Sequence, residues 1–324
     1  AKYDLPETLR TFDQIWAPEC NTLTIPAGFC TPSLWVTAVA LAKEKSLELD
    51  DICFPQKTLK MDVEKYASAL GFSLVLTGHD DYQYERINNG GNYSTIQLLD
   101  DELASEAAMA NVNGCIRRMV KETSTPGIVD LCNVIGELHN NVWAHGRSTG
   151  FSCAQKYPDF SIGGEQVIEF ALADRGFGFL GEMRRVGRDV KTDCEAIEWC
   201  IEKGHSTKLA DKEDEFAQTV RADNIGGSPF GAGVATKTEV VVNHQGLGLF
   251  KLISLVKNYG GKLAIASGNC LFQVDRMGNS SYSKINEWKG VAISCTLSAS
   301  ELREKSTNKN KTPEVVSIMD QLRG

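Results

Sequence analysis

The 324-residue chain lacks most features that would place a protein in a class at first reading. No apolar run approaches the roughly 18–20 residues that a membrane-crossing helix needs. The opening AKYDLPETLR holds no signal-peptide core. A soluble, cytoplasmic protein without a membrane partner is the expectation. Positive charge is not in excess either: 34 Lys and Arg face 42 Asp and Glu, for a net charge of −8. A nucleic-acid partner normally leaves a basic face or stripe, so none is expected. The ten cysteines form no CxxC pair, and only Cys194 and Cys200 lie near each other, which excludes the usual spacing of structural zinc. Free thiols are expected, not a disulfide scaffold. The GxGxxG dinucleotide fingerprint, the GxxxxGK[ST] phosphate loop and any internal repeat are also missing.

What is present suffices for two domains of about 100–200 residues each, with 42% hydrophobic residues to fill their cores. Residues 1–100 read as a small α/β unit. A short strand is predicted at 21–25 (NTLTI), a one-sided apolar helix capped by Ser33, a short strand at 52–54, a helix at 62–70, a turn at Asn88-Asn89-Gly90-Gly91 and a strand at 94–99. A domain of residues 101–300 follows. Its predicted elements are a helix up to Ser124 before a stop at Pro126-Gly127, a second helix from Val129 to about residue 145, and a strand at 166–173 (QVIEFALA). A long polar segment covers 181–245. The amphipathic helix LFKLISLVKNY then closes on Gly260-Gly261, and four strand-like runs (KLAIAS, CLFQVD, SKINEW and VAISCTL) complete the domain. Residues 301–324 form a charged tail. This order predicts a two-layer α/β sandwich with its helices on one face, not a doubly wound parallel sheet.

Three short pieces carry chemistry. In ELHNN, Glu137 and Asn141 stand four apart, on one helix face. Asn offers an oxygen to a hard cation such as Mg²⁺, and Glu can orient or deprotonate a water; such a pair is also common on solvated helix faces. In ADRGFG, Asp174 ends a strand, where it can accept from an exocyclic amine, and Gly176 and Gly178 let backbone approach a ligand. A plain Asp-Gly turn is the simpler reading of that piece. In QGLGL, residues Gly246, Leu247, Gly248 and Leu249 precede a helix whose N-terminal N–H groups and dipole favour phosphate.

In this order and context the three pieces resemble the N box, DxGxG box and glycine-rich box of the GHKL superfamily, which includes gyrase-type topoisomerases, histidine kinases and MutL-type repair ATPases. The resemblance covers about residues 102–298. It implies the Bergerat type of α/β sandwich, with ATP and Mg²⁺ as cofactors. Glu137 would be the catalytic base, Asn141 the Mg²⁺ ligand and Asp174 the adenine anchor. Gly176 and Gly178 would line the nucleotide, and Gly246, Leu247, Gly248 and Leu249 the phosphates. His244 stands where many members have a further glycine, and Trp288-Lys-Gly290-Val291 where a Gly-Thr pair is common. The helix before Pro126 contains no histidine, so a sensor histidine kinase with its own phospho-acceptor is not expected.

Residues 1–100 resemble STAS-type domains, which partner anti-sigma-factor kinases. An ATPase that uses its Mg-ATP state as a regulatory switch is the first functional expectation. The alternatives are a Ser/Thr protein kinase of the anti-sigma-factor type acting on a STAS-like partner, and a nucleotide-binding interaction module with little turnover. A protein partner is expected, and a homodimer is left open. Segment 181–245 lies where this superfamily keeps its lid, and Arg184, Arg185, Arg188 and Lys191 could fold from it onto phosphate.

Overall fold

The computed structural model describes residues 1–59, 62–122, 124–142, 148–202 and 248–304. In chain order the elements are β1 (Lys2–Tyr3), α1 (Leu5–Arg10), α2 (Phe12–Ile15), β2 (Trp16–Ala17), β3 (Thr22–Thr24), β4 (Phe29–Cys30), α3 (Pro32–Glu44), β5 (Ile52–Cys53), α4 (Val63–Ala69), α5 (Phe72–Thr77) and β6 (Gln97–Leu99). There follow α6 (Glu102–Val120), α7 (Pro126–Asn141), β7 (Gly150–Asp159), β8 (Glu165–Asp174), α8 (Gly178–Arg185), α9 (Asp193–Ile201), α10 (Gly248–Asn258), β9 (Lys262–Val274), β10 (Ser280–Ser298) and α11 (Ala299–Glu304). The chain is a mixed α/β protein.

Its centre is a five-stranded antiparallel sheet in the order β6-β7-β8-β10-β9. Alternation along the strands separates two apolar cores. Ile168, Phe170 and Leu172 of β8 pack with α6, α7 and α10 through Ile116, Ile135 and Leu252. Ala171 and Ala173 of the same strand join Leu5, Trp35 and Val39 of α1 and α3. The sheet is therefore covered on both faces, and residues 1–99 supply the second cover. They do not close a core of their own: β6 belongs to the central sheet, and α3 is buried all round from Pro32 to Ala42. A helix apolar on every side needs neighbours on every side.

Several expectations change for identifiable reasons. Ser33 does not cap α3. Thr31 holds the N-cap position, but its hydroxyl donates to Glu169 of β8 instead of accepting from a helix N–H, and the buried Glu169 carboxylate accepts from the Ser33 N–H at 3.2 Å. Pro126 starts α7 instead of stopping α6, which ends at Val120 before left-handed Lys121. Strand β7 was not predicted, because both of its faces are buried and it shows no alternation. The four late strand-like runs are two long strands, interrupted locally by Gly268 and by register shifts between Lys284 and Val291. Cys194 of α9 and Cys270 of β9 form a disulfide, with Cα atoms 5.4 Å apart, and the other eight cysteines are free. Their wide separation in sequence hid a pairing that the fold brings together. Among the described residues, no helix is long and apolar enough to cross a membrane.

Candidate functional site

Helix α7 sets the site. His139 turns inward, fully buried, with its ring 5.8 Å from Phe170 of β8. Burial pushes its pKa down to about 4. With His139 fixed beneath, Glu137 and Asn141, one turn apart, remain half-buried. Glu137 meets the start of α10. A Cβ at Gly248 would lie 3.0 Å from Glu137 Oε2 and 3.4 Å from its Cβ, so glycine permits this approach of backbone to carboxylate. From the first turn of α10, Lys251 Nζ donates to Glu137 Oε1 at 2.6 Å.

The far end of α7 reaches the second motif. A Cβ at Gly150 would meet Val142 Cγ1 at 2.5 Å and Asp174 Cβ at 3.4 Å, so the end of the helix, the start of β7 and the end of β8 converge there. Asp174 shares the face of Leu172 and Phe170, the one covered by α7 and α10. It is 4% exposed. Its Oδ1 accepts from the Gly176 N–H at 2.7 Å. Burial pushes the carboxyl up to about 6, while backbone hydrogen bonds from Gly176 and Val291 and the Arg175 charge pull the other way. The expected Asp-Gly turn is real, but a solvated turn would not raise the proton affinity of its aspartate.

The glycines of this motif do different work. Gly178, at φ +67°, starts α8, and a Cβ there would lie 2.7 Å from Ser267 Oγ. Its left-handed backbone and its packing each favour glycine there. Gly290 was noted only as a departure from a motif. At φ +97° it packs on Asp174, where a Cβ would lie 2.7 Å from Oδ1. Arg175 faces the other layer: Nε donates to Glu44 Oε2 of α3 at 2.6 Å and the guanidinium lies 4.6 Å over the Trp288 ring. Lys289 binds the other Glu44 oxygen at 2.9 Å. Through Glu44 the N-terminal layer grips both segments that flank Asp174.

Of the third motif, Gly246 and Leu247 lie outside the described residues, as does His244. Leu249 puts its side chain into the helical core, so only its backbone could face a ligand. The segment expected to be a lid divides. Residues 203–245 lie outside the described residues, while 181–201 are mostly helical and tied to the sheet by the Cys194–Cys270 disulfide. Arg185 pairs with Glu182 at 2.8 Å and Arg188 stacks on Trp199 at 5.4 Å, so two of the four cations of the basic cluster are engaged locally. Lys251 was missed. Its signal was a cation in a first helical turn, the end that favours anions.

Among the described residues, no group of three or more His, Cys, Asp or Glu could hold a metal. In comparisons with known proteins, no family model, no curated protein and no solved structure matches this chain.

Proposed function

We propose that this chain binds ATP with Mg²⁺ and hydrolyses it, its nucleotide state serving as a regulatory switch, on a GHKL-type α/β sandwich formed by residues 101–300. The position of α7 carries this reading. One helix presents Glu137 to the start of α10 and ends against Gly150 and Asp174, so pieces far apart in sequence border one region. Asp174 would accept from the adenine amine, and the N–H groups at the start of α10 would meet phosphate. Mg²⁺ shared with phosphates needs only one or two protein oxygens, which the half-buried Asn141 fits without a carboxylate cluster. The ion would neutralise charge on the phosphates. Glu137 would take a proton from the water whose oxygen bonds to the terminal phosphorus as the bond to the bridging oxygen breaks, giving ADP and phosphate.

The test is calorimetry and phosphate release on purified variants. Glu137→Gln is expected to bind Mg-ATP and to lose about 10²-fold or more in turnover, and Asn141→Ala to lose Mg-ATP binding. Equal turnover in wild type and Glu137→Gln would remove the assignment of the base.

A further inference from the structure

Lys251 has an unusual position for a surface cation. It stands in the first turn of an eleven-residue helix, where the helix dipole opposes a positive charge. Its charge is answered by Glu137 at 2.6 Å. The two side chains keep 33% and 24% of their surface exposed, for Lys251 and Glu137 respectively. Both groups therefore reach solvent, where a ligand can approach them and the ammonium can exchange its partner. Gly248 brings the start of α10 against the same carboxylate. A carboxylate held by an ammonium is not free to take a proton from water, so hydrolysis requires this pair to open.

Resting on the nucleotide reading above, we propose that Lys251 is the residue by which the site distinguishes a triphosphate from a diphosphate. Without a terminal phosphate its ammonium holds Glu137. A terminal phosphate offers more negative charge and more acceptor oxygens than one carboxylate, and the ammonium transfers to it. The same movement releases Glu137 for the attacking water. The ligand thus frees the base that acts on it, and a diphosphate leaves the base locked.

The experiment uses the full chain with Mg²⁺, titrated by calorimetry with ADP and with an ATP analogue whose bridging oxygen is replaced by NH. Wild type is expected to prefer the triphosphate about tenfold, the size of one charge-assisted hydrogen bond. Lys251→Met is expected to reduce the preference to within about twofold by weakening the triphosphate. Lys251→Arg, which keeps the charge, is expected to restore most of it. Glu137→Gln removes the competing carboxylate charge and is expected to tighten the triphosphate about threefold relative to ADP. Should Lys251→Met bind both ligands and keep the wild-type ratio, or weaken both equally, the discriminating role is wrong while the nucleotide site stands. If wild type binds neither ligand, the nucleotide reading falls and this inference with it.

Discussion

Two acidic residues of β8 sit on opposite faces of the sheet and meet different fates. Glu169, 1% exposed, is saturated: Oε1 accepts from Thr31 Oγ1 at 2.9 Å, the Ser33 N–H at 3.2 Å and Ser294 Oγ at 3.0 Å, and Oε2 from Tyr157 OH at 2.6 Å. It caps α3 from across the core and joins the N-terminal layer to the sheet. Asp174, almost as deeply buried, has its proton affinity raised by that burial. A satisfied buried carboxylate holds a fold together, whereas one whose proton affinity burial raises is a candidate for ligand binding or proton exchange. Depth alone does not separate the two; the number and kind of partners does.

The structural side of this contrast should give the largest effect. Glu169→Ala leaves three hydroxyls and one helix N–H without an acceptor, and is expected to cost about 3 kcal/mol or more in urea unfolding. Glu169→Gln keeps one acceptor oxygen and hydroxyls can rotate to meet the amide, so it is expected to lose less than half as much. A loss below about 0.5 kcal/mol for the alanine variant would mean that water replaces the carboxylate and that Glu169 is not the joint.

Next in size is the link between α9 and β9. Denatured without reductant, the chain should take up eight alkylating groups, and ten after reduction. Cys194→Ser is expected to cost about 2 kcal/mol of stability, because the bond closes a long loop. Ten labelled thiols without reductant would show the sulfurs to be neighbours only.

How much of this was legible beforehand follows the same line. Helix α4 and the amphipathic α10 with its Gly260-Gly261 stop were predictable, because cap and period are local, and β8 was found as a short apolar run although both of its faces are buried. Strand β7 was not, since burial on both sides erases alternation. The second cover of the sheet is half-legible: LWVTAVALA is apolar all round, the mark of a fully buried helix, although its apolar residues also read as crowding one side. The positions of Glu137, Asn141 and Asp174 were read from motif order. Lys251, Gly150, Gly290 and the capping by Glu169 depend on which segments meet, and local pattern does not carry that.

The smallest expected effect probes the Asp174 carboxylate directly, through pH. In the folded chain the Asp174 carboxyl titrates at about 6, against an ordinary 3.8. Because the folded value is the higher, its contribution to stability is fully present below 3.8, is lost as pH rises through about 6, and changes no further above that. Adenine binding should run in the opposite direction, since the ionised carboxylate is the better acceptor for an exocyclic amine. At pH 5 about one tenth of the chains carry an ionised Asp174, so adenosine should bind about tenfold more weakly there than at pH 7.5. Adenosine is the right probe because it has no phosphate to titrate in this window. Asp174→Asn should flatten both curves: stability should no longer fall between pH 4 and pH 6, and adenosine should bind weakly at every pH. If the variant keeps the wild-type pH dependence of binding, another group is responsible, and Asp174 joins Glu169 as a structural carboxylate. If binding flattens but the stability curve does not, the adenine contact stands and the raised proton affinity belongs elsewhere.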